Sequence, residues 1–247
     1  MNDILRMGKE ELLALTVEDV SRPLTAEEVV HVATILGAFW TYDYSAADQG
    51  RVGMHALLKS GLHSDGFFVS RILLEPGNIR RIVSHQIVMR LRDANISAPD
   101  YLAGVPDGAT ALGLSIAEIL GVREAYMEKT DGRIVLNTEI PSGATLLLVE
   151  DICTRGTGFT EAVLHVRSKQ PSVKLVPYDP VIINRGGCKE ISVEGVGTFA
   201  VLPVVERKLR DWDPNDGCPL CGLGSVAIKP KATGENWRSL VTSQLPR

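Results

Sequence analysis

Nowhere in the 247 residues do apolar side chains run unbroken for the ~18–20 positions that a membrane helix needs, so no spanning segment is expected. The first fifteen residues mix acids with apolar side chains and lack the core of a signal peptide. Instead, the spacing of Ile4, Leu5, Leu12, Leu13 and Leu15 predicts a short amphipathic helix. Cysteine is scarce. Cys153, Cys188, Cys218 and Cys221 are too few and too unevenly placed for a disulfide framework in a chain this long. Basic charge is short as well: 26 Lys and Arg stand against 30 Asp and Glu, and the net charge of −4 argues against a protein that wraps nucleic acid. A local cluster of cations and backbone N–H groups can still bind a small anion. The expected compartment is the cytoplasm.

What is present is alternation. Thr25 followed by Glu28 is a capping-box pattern, and residues 1–50 are expected to be mainly helical. Turn chemistry at Lys59-Ser60-Gly61 and Ser64-Asp65-Gly66 leads into an apolar strand at Phe67-Phe68-Val69. Helical periodicity resumes from Ile79 to Leu91. Strands are then expected at Tyr101–Val105, Glu124–Met127, Leu146–Val149 and Val173–Ile183, with helices at Ala109–Leu120 and Thr157–Ser168 between them. Leu146-Leu147-Leu148-Val149 is apolar at every position, as a parallel strand covered on both faces must be. This order predicts an α/β fold with a doubly wound parallel sheet. The expected division is a helical segment over 1–50, a core over 51–205, and a loop-rich lobe over 206–247. The two ends would form a small hood.

The stretch most informative about function is Leu146 to Ala162, LLLVEDICTRGTGFTEA. Glu150 and Asp151 fall where the buried strand ends, the edge at which open parallel sheets bind ligands. Thr154-Arg155-Gly156-Thr157-Gly158 then opens a helix. Glycines and small residues let backbone N–H groups converge on a phosphate, and the helix N-terminus favours its charge. Neither a G-x-x-x-x-G-K-[ST] loop nor a G-x-G-x-x-G fingerprint is present, which excludes the two commonest nucleotide motifs. Without more, any strand-turn-helix with acids at its mouth reads equally well.

The string VEDICTRGTG resembles the signature of type I phosphoribosyltransferases, which bind phosphoribosyl pyrophosphate (PRPP). The resemblance implies that Glu150 and Asp151 hold the ribose hydroxyls. It implies that Thr154 through Gly158 cradle the 5′-phosphate, with Ile152 and Cys153 also among the substrate-binding residues. Cys153 and Arg155 stand where a larger aliphatic residue and a Thr or Ala are usual. Three further segments are similar to the orotate-using branch. Lys59 through Phe68 matches an element whose lysine contacts the ligands and whose aromatic pair, here Phe67 and Phe68, lies against the pyrimidine. Ala103-Gly104-Val105-Pro106-Asp107-Gly108-Ala109 resembles the pyrophosphate loop, which implicates Asp107 and Gly108. Asn184-Arg185 follows a strand where these enzymes place an arginine for the orotate carboxylate, so Arg185 takes that role.

The sequence departs from the family's pattern in its cations. Glu128 to Arg133 stands in place of a longer lysine-rich closing loop; Lys129 survives there, and Gly108 replaces a lysine. Lys59 and Lys129 are therefore the cations expected to act on the leaving group, with Arg133 a further candidate. The resemblance implies orotate and PRPP as substrates, Mg²⁺ carried by the pyrophosphate, and a homodimer. Two alternatives stay open: transfer to a purine or uracil, and a PRPP-sensing regulator with little catalysis. Cys218-Pro219-Leu220-Cys221 is half of a zinc motif. No second pair of ligands follows it, so a turn with two reduced thiols is expected and no protein-held metal. Cys188 and His165 are the residues considered for completing such a site, and His63 is expected to be a solvated turn histidine.

Overall fold

The computed structural model describes residues 3–246. They fall into two compact units: residues up to Val32 with Ser70–Lys208, and Ala33–Val69 with the chain from Leu209 onward.

The first unit is built on a mostly parallel sheet. Its strand order is Glu190–Val193, Gly197–Glu206, Tyr178–Asn184, Thr145–Cys153, Tyr101–Gly104 and Arg123–Glu124. Every neighbouring pair is parallel except the edge pair Glu190–Val193 with Gly197–Glu206. Thr145–Cys153 is central because its side chains are apolar on both faces. Leu146 and Leu148 pack with Phe159, Ala162, Val163 and Val166 of helix Thr157–Lys169. Strand alternation puts Leu147 and Val149 on the opposite face, where they are equally buried and where helix Thr110–Leu120 lies against the sheet. Helix Gly77–Asp93 packs beside it. The expected doubly wound α/β architecture is what the chain adopts.

Several local expectations change. The N-terminal amphipathic helix is broken at Gly8 into a 3₁₀ turn, Ile4–Arg6, and a helix, Lys9–Ala14. Ile4, Leu12 and Leu15 are buried, but Leu5 and Leu13 are exposed. The capping box forms: Thr25 N–H donates to Glu28 Oε2 at 2.8 Å and Glu28 N–H donates to Thr25 Oγ1 at 3.2 Å. The strand expected over 173–183 is two strands, Lys174–Leu175 and Tyr178–Asn184. Pro177, which has no N–H to give the ladder, lies between them.

The second unit does not follow the expected boundaries at 50 and 205. Residues 33–69 group with the tail, because strands distant in sequence pair with one another. A four-stranded sheet runs Asp211–Trp212, His63–Ser64, Met54–Leu57 and Val226–Ile228. Its registers set Trp212 against His63, Leu57 against His63, and Ala227 against His55. The tail adds helix Gly234–Thr242, so it is more ordered than a loop-rich lobe. Trp237 on that helix donates from Nε1 to the Gly37 carbonyl at 3.0 Å.

Candidate active site

The site grows from the end of the central strand. Glu150 shares a strand face with Leu146 and Leu148, and Asp151 takes the other. Glu150 is therefore buried beneath the start of helix Thr157–Lys169, where the Phe159 N–H donates to it. Asp151 is half-buried and turns to the loop after strand Tyr101–Gly104; one carboxylate oxygen accepts from the Ile152 N–H at 2.9 Å. A Cβ placed on Gly108 would come within 1.9 Å of Asp151 Oδ2. The glycine that stands in place of a lysine is thus required by the acid: a side chain there would occupy the carboxylate's position. The Pro106–Asp107 peptide bond in this turn is cis.

From Cys153 the chain turns through Thr154, Arg155 and Gly156 into the helix. Gly156 sits at the helix cap with φ of +66°, a conformation favourable only to glycine, and a Cβ on it would also strike Ile191. The first N–H groups of a helix have no intrahelical carbonyl to bond; here that of Phe159 goes to Glu150. The turn is anchored from below. The Cys153 carbonyl accepts from the N–H groups of Arg185 and Gly186 at 2.8 and 3.2 Å, and the Thr154 carbonyl accepts from the Cys188 thiol at 3.3 Å. Asn184 closes the supporting loop by donating to the Cys188 carbonyl and accepting from Gly187 N–H. Arg155 and Thr157 are exposed at the mouth of the turn.

A buried acid that sequence reasoning missed lies beneath this turn. Asp179, on strand Tyr178–Asn184, is fully buried, and neither carboxylate oxygen has a hydrogen-bond partner among the described residues. Its carboxylate, that of Glu150 and the Cys153 sulfur offer atoms within 4.8 Å of one another. Burial raises the pKa of both Asp179 and Glu150 well above the carboxylate range, reinforced at Glu150 by repulsion from Asp151 and at Asp179 by repulsion from Glu150 and Asp151. Burial likewise pushes the Cys153 thiol upward.

The other predicted residues are placed as follows. Asp107 is exposed in the 104–109 turn beside Gly108. Arg185 is buried, and its backbone supports the phosphate-type turn. Lys129 and Arg133 are exposed on a hairpin of strands Met127–Thr130 and Arg133–Leu136, closed by Asp131 and Gly132 at φ of 52° and 78°. This is the two-residue turn that Asp-Gly favours. The hairpin is tied to the helix of the site by Ile134 N–H donating to Glu161 at 2.8 Å, so the segment is a fixed hairpin. Lys59, Phe67 and Phe68 belong to the second unit. There Lys59 is exposed in a turn, whereas Phe68 is a core residue against Phe39, with ring centroids 6.4 Å apart. Neighbours on a strand face opposite ways, so only half-buried Phe67, beside Trp237 and Lys231, is available to a flat ligand.

The second unit also departs from the expectation of no protein-held metal ligands. His63 is buried, not solvated, and it meets His55, Cys218 and Cys221. Neither Cys188 nor His165 joins them.

An acid pair at the carboxyl end of a parallel strand, followed by a glycine turn and a helix, is the arrangement that the resemblance to type I phosphoribosyltransferases implies. No family model matches the chain. The orotate phosphoribosyltransferase of Wolinella succinogenes is 29% identical over 190 residues, spanning 73% of this chain and 90% of that protein. That of Desulforamulus reducens is 27% identical over 209 residues, spanning 84% and 97%. Among solved structures, orotate phosphoribosyltransferase from Aeropyrum pernix has a TM-score of 0.53 at 17% identity, covering 72% of this chain and 93% of that one. UMP synthase from Leishmania donovani has a TM-score of 0.55 at 18% identity, covering 86% of this chain and 40% of that one. The chain has the fold of these phosphoribosyltransferases, and its sequence is similar to the bacterial orotate phosphoribosyltransferases.

Proposed function

We propose that the protein transfers the ribose 5-phosphate of PRPP to orotate, releasing pyrophosphate and forming orotidine 5′-monophosphate. The observation that carries this reading is the Glu150–Asp151 pair at the mouth of the central strand, directly ahead of the Thr154–Gly158 turn. The turn would take the 5′-phosphate on its N–H groups and the Thr154 and Thr157 hydroxyls. Glu150 and Asp151 would hold the ribose hydroxyls, which fixes C1′ in line with the entering base. The C1′–O bond to pyrophosphate breaks as the base nitrogen donates its lone pair to C1′. The pyrophosphate leaves with the bonding electrons, and the proton that the base nitrogen gives up is released to solvent. Lys59 and Lys129 are the cations assigned to that negative charge, and Arg185 to the orotate carboxylate. Mg²⁺ would enter on the pyrophosphate; Asp107 and Asp151 offer the hard carboxylate oxygens it takes, and the ion supplies neutralisation of the leaving group. A homodimer and a cytoplasmic setting belong to the same proposal.

The test is pyrophosphate release from PRPP and Mg²⁺ with orotate, uracil and purines as acceptors. Orotate is expected to be preferred, and Asp151→Asn is expected to raise the PRPP concentration required by roughly 10-fold or more, the worth of a charged hydrogen bond. Faster turnover of uracil or a purine would overturn the choice of base. PRPP binding without pyrophosphate release for any base would replace the enzyme with a sensor.

A further inference from the structure

The second unit brings together four side chains that the transfer reaction does not use. His55 lies on strand Met54–Leu57 and His63 on strand His63–Ser64, paired antiparallel so that Leu57 faces His63. Cys218 caps a one-turn helix, Pro219–Gly222, whose third residue is Cys221. Strand Val226–Ile228, which follows, pairs in parallel with Met54–Leu57 and sets Ala227 against His55. That pairing delivers the cysteines to histidines some 160 residues earlier in the chain.

We propose that His55, His63, Cys218 and Cys221 form a four-ligand structural zinc site. A tetrahedral zinc with bonds of ~2.0–2.1 Å to nitrogen and ~2.3 Å to sulfur has ligand atoms ~3.3 Å apart for N–N, ~3.5 Å for N–S and ~3.8 Å for S–S. Here His55 Nε2 and His63 Nδ1 are 2.9 Å apart, Cys221 Sγ lies 3.6 and 3.3 Å from those two nitrogens, and Cys218 Sγ lies 3.8 Å from His55 Nε2. All four ligand atoms fall within 4.8 Å of one another. These are the edges of one coordination tetrahedron, slightly contracted between the nitrogens.

The tautomer is set independently. Ser225 Oγ donates to the Gly53 carbonyl at 3.2 Å, so towards His55 Nδ1, 2.9 Å away, it acts as acceptor. A proton on Nδ1 leaves the Nε2 lone pair pointing at the other three ligands. Zinc-bound histidines use this second hydrogen bond in the same way. His55, His63 and Cys218 are buried, and only Cys221 reaches solvent. Four protein ligands leave no open position, so the role is structural. The ion would cross-link a β-hairpin to the distant tail in a unit whose own core is small.

Zinc content of the full-length protein, purified under reducing conditions without chelator, is expected to be one per chain by mass spectrometry. Cobalt(II) added to the metal-free protein should give the strong visible bands of a tetrahedral ion and a thiolate charge-transfer band. Ser225→Ala should weaken zinc binding roughly 10–100-fold against a chromophoric chelator, as loss of such an outer partner does. Cys218→Ser with Cys221→Ser should abolish uptake and Cys188→Ser should leave it intact. Should the double variant fail to fold, the wild-type protein still decides the matter: chelation should lower its Tm and zinc, but not magnesium, should restore it. Reduced wild-type protein that takes up neither zinc nor cobalt, an octahedral cobalt spectrum, or full zinc retention by a folded double variant would overturn the proposal.

Discussion

The buried acids beneath the site make a prediction that can be worked in some detail through Asp179→Asn. Asp179 and Glu150 lie within 4.8 Å of each other. If both were ionised at that separation, their repulsion would be at least roughly 3 kcal/mol at an effective dielectric of about 20, and loss of hydration adds to it. The folded protein therefore keeps protons on this pair that the unfolded chain has already lost. Stability then falls as pH rises above the ordinary carboxylate range, by about 1.4 kcal/mol per pH unit for each proton retained, until the folded pair itself ionises. Asparagine removes one titrating group and the repulsion while keeping the side chain's shape. Urea unfolding at pH 5, 6, 7 and 8 should show Asp179→Asn level with or slightly below wild type at pH 5 and above it at pH 8. Its pH slope should be shallower by about one proton's worth. Parallel pH profiles for the two proteins, or a wild type that gains on the variant as pH rises, would refute the reasoning.

Gly108→Ala should displace the Asp151 carboxylate, because the new methyl would sit 1.9 Å from Oδ2. A loss of about 1–3 kcal/mol in urea unfolding is expected from overpacking, together with weaker PRPP binding by calorimetry. Glu28→Gln should cost about 2 kcal/mol near neutral pH, since it weakens both the capping box and the bond to Arg22. Hydrogen bonding from Arg22, aided by Thr25, holds the Glu28 carboxyl down to about 2. That contribution is complete above pH ~4.5 and fades as pH falls through ~2, so wild type and variant should converge in acid.

The candidate site was legible because its signals are contiguous. Strand, acid pair, glycine turn and helix follow one another between residues 146 and 162, and each uses a local rule: apolar run, charge at a strand end, glycine at positive φ. Asp179 was not legible. One acid in an apolar strand is equally consistent with a strand edge, and only the pairing of Tyr178–Asn184 with Thr145–Cys153 puts it beneath Glu150. The 127–136 segment shows a local rule outweighing a comparison. Asp131-Gly132 between alternating residues specifies a tight hairpin by itself, whatever the length of the family's closing loop.

The second unit shows where local reading fails for a physical reason. Cys218-Pro219-Leu220-Cys221 could be recognised as half of a metal motif because its ligands are three residues apart. The completing ligands are neither Cys188 nor His165. They lie far upstream, and they share a face only because Ala56 pairs with Ser64 and Leu57 with His63. With that register His55 and His63 are diagonal neighbours across the two strands, close enough for long side chains to meet. A register shifted by one residue would turn the face of one histidine away. Short-range pattern therefore fixes which residues can bind a metal, but strand register decides whether they meet. The same register explains why residues 51–69 leave the expected core and group with the tail.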